Sequence, residues 1–128
     1  MKITELVEYL ETVTTIPVFP LAFPAAEGSY PEAMVVQFLT SYTKSKAGTQ
    51  KVNIQMIVRS NHPEPAEEYA LQLAKHFDMR TAFNVGKTHV IFCDLRTPFP
   101  LFVGKDNADH YRYSVTMNFL IEKEEIGG

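Results

Sequence analysis

Val52-Asn53-Ile54-Gln55-Met56-Ile57-Val58-Arg59-Ser60 places Val52, Ile54, Met56 and Val58 at every second position, with mostly polar residues between them. Successive side chains of a strand point to opposite faces, so this pattern is a strand with one buried face and one open face. The buried face needs a cover, and the next residues supply one. After Asn61-His62-Pro63-Glu64-Pro65, the residues Ala66, Tyr69, Ala70, Leu73, Ala74 and Phe77 recur at helical spacing. Asn61 or a neighbour can cap, and proline is tolerated in a first turn. Glu64, Glu67 and Glu68 suit the positive end of the helix dipole, and Lys75 and His76 the negative end. A strand from Val52 followed by a helix over 64–78 is the frame on which the other segments are placed.

Working towards the N-terminus, Ser41 to Gln50 is a polar stretch containing Gly48, read as a long connection, and Ala33 to Thr40 is a strand with Met34, Val36 and Phe38 on one face. The two strands form a long-looped hairpin. From Ile16 to Pro31 the chain carries Pro17, Pro20, Pro24 and Pro31, which remove backbone donors and favour extended geometry. An arm is expected there, with a short edge strand near Val18-Phe19. Ile3, Leu6, Val7, Leu10 and Val13 form one stripe at helical spacing, predicting an amphipathic helix over 3–13.

Towards the C-terminus, Thr88 to Leu95 reads as a strand, and Pro98-Phe99-Pro100-Leu101-Phe102-Val103-Gly104 as a short element that its prolines confine to an edge. Tyr113, Val115, Met117, Phe119 and Ile121 alternate with Arg112, Ser114, Thr116, Asn118 and Leu120, which predicts a central strand. The fold class is therefore α+β, with two helices packed on one face of a mostly antiparallel, mixed β-sheet.

The 128 residues fit one domain, and a net charge of −3 is too small to imply nucleic-acid or membrane-surface binding. A single cysteine, Cys93, excludes an intramolecular disulfide and fits a reducing compartment. Glu5, Glu8 and Glu11 interrupt any signal peptide, and no apolar run reaches the ~18–20 residues of a spanning helix, so a soluble, cytoplasmic protein is expected.

Candidate chemistry is sparse. Val85-Gly86-Lys87-Thr88 ends like a phosphate loop, but Thr81 stands where its first glycine belongs. His89 and Cys93 lie on one face of one strand, about 13 Å apart at ~3.3 Å per residue, too far for proton transfer. Asp106, Asp109 and His110 match no calcium or zinc spacing and read as a solvated turn. His76 is explained by the helix dipole. Lys44, Lys46 and Lys51 with Tyr42 make a modest basic loop that supports no nucleic-acid assignment. No catalytic, cofactor-binding or metal-binding residue is assigned.

The open sheet face is more informative. Asn53, Gln55 and Ile57 on one strand and Ser114, Thr116, Asn118 and Leu120 on the other are nearly uncharged, with Arg59 and Arg112 towards the ends. A freely solvated face tends to collect lysine and glutamate, whereas a protein interface is depleted in them. Gln55, Ile57, Thr116 and Asn118 are therefore candidates for a subunit contact, with an ordinary wet face as the alternative.

The order of helix, proline-rich arm, strand, long hairpin, the strand and helix from Val52 through Pro65-Ala66-Glu67-Glu68 to Phe77, and Pro100-Leu101-Phe102-Val103-Gly104-Lys105-Asp106 before an alternating aromatic strand resembles the minor capsid and tail-terminator proteins of tailed bacteriophages. The resemblance covers nearly the whole chain and implies a single tail-terminator-like domain over 1–128. It further implies a non-enzymatic virion morphogenesis protein, forming a ring, typically a hexamer, at the end of the phage tail tube. Such a ring terminates tail growth and joins tail to head, with the tail tube protein and a head-completion or connector protein as partners. Membrane and sequence-specific nucleic acid are not among them. The implied location is the virion, assembled in the host bacterial cytoplasm, with the isolated chain either ring or monomer. The hairpin residues Tyr42, Lys44, Lys46 and Gly48 would face the tube or lumen. A second class stays open, a small α+β enzyme or ligand-binding domain with an unidentified pocket.

Overall fold

The computed structural model describes residues 1–24, 30–44 and 48–122, with the backbone alone for 40–44. Nine elements follow one another: α1 (Ile3–Glu11), β1 (Val18–Pro20), β2 (Ala33–Lys44), β3 (Thr49–Ser60), α2 (Pro63–Phe77), β4 (Thr81–Val85), β5 (Thr88–Leu95), β6 (Leu101–Lys105) and β7 (Tyr111–Glu122). The strands form one sheet in the order β1-β2-β3-β7-β5-β4, with β6 also on β7. All pairings are antiparallel except β1 with β2. The expected α+β class, with two helices on one face of a mixed sheet, is the class observed.

The centre of the sheet is set by β3 and β7, which pair without interruption from Thr49↔Glu122 to Ser60↔Tyr111. This register aligns Ile54 with Met117 and Met56 with Val115 on the helix side, all four buried. Burying one such side chain is worth about 1.5–3 kcal/mol, and a slip of one residue would turn every one of them to the open face. The alternation in the two sequences therefore fixes the register. β7 is central as expected: β3 lies along one edge, while β5 and then β6 lie along the other, like one strand interrupted by residues 96–100.

α2 begins with Pro63 after His62, whose backbone is extended, so no intrahelical donor is lost at the proline. Its buried stripe of Ala66, Ala70, Leu73, Ala74 and Phe77 packs over β3 and β7, and α1 contributes Leu6 and Leu10 beside it. Phe77 is enclosed by Tyr9, Phe83 and Phe119, so one aromatic cluster joins both helices to the sheet.

One expectation needs correction, and two further segments gain definition. The connection read from Ser41 to Gln50 is mostly strand: Tyr42 pairs with Val52, Thr43 with Lys51 and Lys44 with Gln50, after an irregularity in register between Phe38 and Tyr42. Polar residues at the outer end of a sheet carry no hydrophobic alternation, so the period vanished while the backbone ladder continued. Second, Thr81–Val85 is a strand, closed onto β5 by a turn at Gly86. It is short and mostly exposed, with only Val85 buried, which left little pattern to read. The Gly-Lys-Thr sequence is thus a hairpin turn and the start of β5. Third, the short edge strand expected near Val18-Phe19 is present: Val18 to Pro20 pair with Met34 to Val36, and Phe23 and Tyr30 both reach Arg59.

Candidate functional site

The open face runs across β2, β3 and β7. β3 supplies Asn53, Gln55, Ile57 and Arg59, and β7 places Asn118, Thr116, Ser114 and Arg112 directly opposite them in that order. Gln37 of β2 sits opposite Gln55 on its other side. Each is on this face because its strand neighbours are committed to the core. The side chains form a hydrogen-bonded row: Gln37 Nε2 donates to Gln55 Oε1 at 2.7 Å and Gln55 Nε2 to Ser114 Oγ at 3.3 Å, with Thr116 Oγ1 at 3.5 Å from the serine. The four predicted contact residues, Gln55, Ile57, Thr116 and Asn118, are brought together here, and neither helix covers them. Gln37 was missed, although its place between Val36 and Phe38 carried the same signal.

One end of this face is closed by the arm. The Arg59 guanidinium lies 4.1 Å from the Phe23 ring centroid and donates through Nη2 to the Tyr30 carbonyl at 3.1 Å, while Tyr30 meets Phe19 edge-on. Burial lowers the Arg59 pKa and the nearby Asp106 carboxylate opposes this. A cation stacked on an aromatic face and held by a carbonyl is a structural clamp.

The titratable candidates do not assemble into a reaction site. Cys93 is buried opposite Phe119, and burial first, then Asp94 and Asp78, push its thiol up to about 12. A thiol so protonated is a poor nucleophile. His89 Nδ1 lies 2.9 Å from Asn84 Oδ1 across the β4–β5 hairpin, so its near neighbour is an amide and not the thiol.

Asp106 and His110 form a tighter unit than a solvated turn. Asp106 accepts from the His110 and Ala108 backbone N–H groups, each at 2.9 Å, and its Oδ2 lies 3.0 Å from His110 Nδ1. Burial alone would raise this carboxyl, but those hydrogen bonds hold it below its usual value. The imidazole is buried. The pair closes the β6–β7 turn, and among the described residues no cluster of histidine, cysteine and carboxylates could hold a metal.

The dipole explanation of His76 is also corrected. Its Nε2 lies 2.8 Å from Tyr9 Oη on α1, and burial first, then Arg80, lower its pKa. A helix C-terminus alone would favour the charged ring. Here desolvation prevails.

Of the tube-facing candidates, Tyr42 and Lys44 lie in β2, Gly48 has φ +82° just before β3, and Lys46 lies outside the described residues. The paired part of the hairpin thus reaches further than expected, to Lys44 and Gln50. An open cleft of about 430 Å³ beside β1 is lined by Glu11, Thr14, Thr15, Ile16, Pro17, Val18, Phe19 and Tyr30. It holds no nucleophile paired with a base. A second feature that sequence reading passed over is a run of exposed apolar residues along the opposite edge, Phe99, Leu101, Phe102 and Val103.

Residues 9–123 match the family described as bacteriophage tail terminator protein. The chain belongs to this family. The role of this tail terminator is accordingly structural, in the virion. A solved structure described as the virion of a native gene transfer agent particle shares the fold: TM-score 0.63 at 12% identity, covering 91% of this chain and 84% of that one. No curated protein matches the sequence.

Proposed function

We propose that this tail terminator assembles as a ring, typically of six copies, on the end of the tail tube, where it stops tube growth and presents the surface that receives the head. The action is non-enzymatic. The observation that carries the reading is family membership over residues 9–123, together with a sheet face that neither helix covers, uncharged at its centre and linked by the Gln37-Gln55-Ser114 hydrogen bonds. Preordered polar side chains lose little entropy on contact, so such a face suits a subunit interface. Gln55, Ile57, Thr116 and Asn118 form that contact, and the β2–β3 hairpin end, from Tyr42 and Lys44 through Lys46 to Gly48, is directed to the tube or lumen. The tail tube protein and a head-completion protein are its partners, and assembly is completed in the host cytoplasm.

Tails purified from cells with and without the chain test this. With it, tubes of uniform length end in a ring and join heads. Tubes of the same length distribution that still join heads without it would refute the reading.

A further inference from the structure

A ring closed by rotation needs two different surfaces on each copy, because a head-to-tail contact pairs one patch with another. The strand order offers such a pair. β1 and its cleft stand at one edge of the sheet, and on the far side of β7 stands β6, which pairs with β7 alone among the described strands. The β6 edge is apolar and uncovered: Phe99 is 63% exposed, Leu101 50%, Phe102 55% and Val103 42%. Four adjacent large apolar residues held outward mark an interaction surface rather than the scattered exposure of ordinary surfaces.

Leu101 sits opposite Ser114 and therefore borders the open face itself. Through Leu101 the apolar edge adjoins the polar row, while Phe102 turns to Tyr111 and Tyr113 on the other side of the strand. An interface of standard size takes about 800 Å² from each partner, more than a few side chains supply. The arrangement is that of an apolar anchor beside a larger polar surround.

The cleft provides the complement. Its 430 Å³ is lined by Ile16, Val18, Phe19 and Tyr30, with Glu11 at the lining, whereas the exposed Arg96 begins the segment that carries Phe99. The apolar content and the charge are thus complementary between the two edges.

We infer that a second copy of this chain seats its β1 cleft on the Phe99–Val103 edge of its neighbour, and that this contact repeats head to tail around the ring. The inference rests on the ring reading above and specifies which surfaces meet. It predicts that Thr15, exposed in the cleft lining, comes close to Leu101 of the adjacent copy.

Cysteine cross-linking on assembled tails tests the contact, and the buried Cys93 does not compete for the oxidant. The Leu101→Cys/Thr15→Cys chain, supplied to cells making tails, should give a ladder of disulfide-linked species ending at the ring number. Each single variant should give none. Rings visible by electron microscopy without a ladder would overturn the surface assignment and leave the ring intact, and a dimer from Leu101→Cys alone would overturn it in favour of a two-fold contact. Tails on which the wild-type chain forms no ring would instead overturn the underlying reading. As an independent check, Arg96→Glu and Glu11→Arg should each reduce ring occupancy at least several-fold, and the double variant should recover it. Failure of both singles to change occupancy counts against the contact.

Discussion

Tyr9 Oη and His76 Nε2 meet at 2.8 Å across 67 residues of chain, joining α1 to the last turn of α2. The bond belongs to the cluster in which Tyr9 also packs against Phe77 and Phe83. Burial raises the tyrosine and lowers the histidine, so both neutral forms are favoured. Tyr9→Phe should cost about 0.5–1.5 kcal/mol, the usual net worth of one hydrogen bond. Denaturant melts at neutral pH measure this.

The same pair has a pH signature. The unfolded histidine titrates near its ordinary 6.5, and the folded one lower, with Arg80 opposing its charge. Between those values the unfolded chain binds more protons, so stability falls as pH drops through this window and levels off below the folded pKa. His76→Gln should remove that part of the slope. An unchanged slope from a folded variant would show that another group carries it.

Leu73 is 1% exposed and Leu71 45% exposed, two positions apart on one helix. Leu73→Ala should cost about 2–5 kcal/mol by leaving a cavity in the core. Leu71→Ala should stay within about 0.5 kcal/mol, as surface changes do. Equal losses would mean that α2 is seated on a different face.

Glu5 accepts from the backbone N–H of Lys87 at 2.7 Å and of Lys2 at 3.0 Å, so α1 holds the β4–β5 turn by its carboxylate. These bonds lower its pKa below 4.5, and the stability they lend is present above the unfolded value and lost as pH falls through the folded one. Gly86 has φ +56°, and a Cβ there would overlap the Glu5 side chain. Gly86→Ala should destabilise by about 1–2 kcal/mol from backbone handedness alone, plus the displacement of Glu5. In a Glu5→Ala background the second part disappears. A double-mutant cycle in which the two changes simply add would disprove the clamp.

These contacts also show what was legible in the chain. Val52 to Ser60 and Tyr113 to Ile121 declared their faces because each has one side in the core and one in the open, and that contrast is what a period of two records. The helices were legible within a residue or two for the same reason. β4 and the outer end of β2 were not, since β4 is mostly exposed and the β2 residues from Thr40 to Lys44 carry no apolar alternation in sequence, while backbone pairing holds both. The Glu5–Lys87 and Tyr9–His76 contacts join residues far apart in sequence, and no local pattern encodes such a distance. For the site, the uncharged centre was legible from Gln55, Thr116 and Asn118. The covering of Arg59 by Phe23 and Tyr30 needed the path of the arm.

Placing glutamate at both Gln55 and Thr116 tests the proposed subunit face. Gln55→Glu keeps the oxygen that accepts from Gln37 Nε2 and loses the donation to Ser114, whose hydroxyl can turn to donate instead. The isolated chain should therefore lose no more than about 1–2 kcal/mol. In an assembled contact the outcome differs, because two carboxylates would be desolvated on a face where Lys51, Arg59 and Arg112 stand four residues along the strands and the exposed Arg96 alone adjoins Thr116. Uncompensated charges in an interface cost several kcal/mol, enough to empty most rings from tails. Replacing Ser45 to Gly48 by Asn-Gly, a turn that closes two-residue hairpins, should leave the β2–β3 ladder intact and reduce joining of tails to heads. Tail purification with a count of rings and filled head–tail junctions reads both variants. Normal rings from the folded glutamate variant would show that the polar row faces solvent, and full infectivity of the shortened hairpin would remove it from the joining surface.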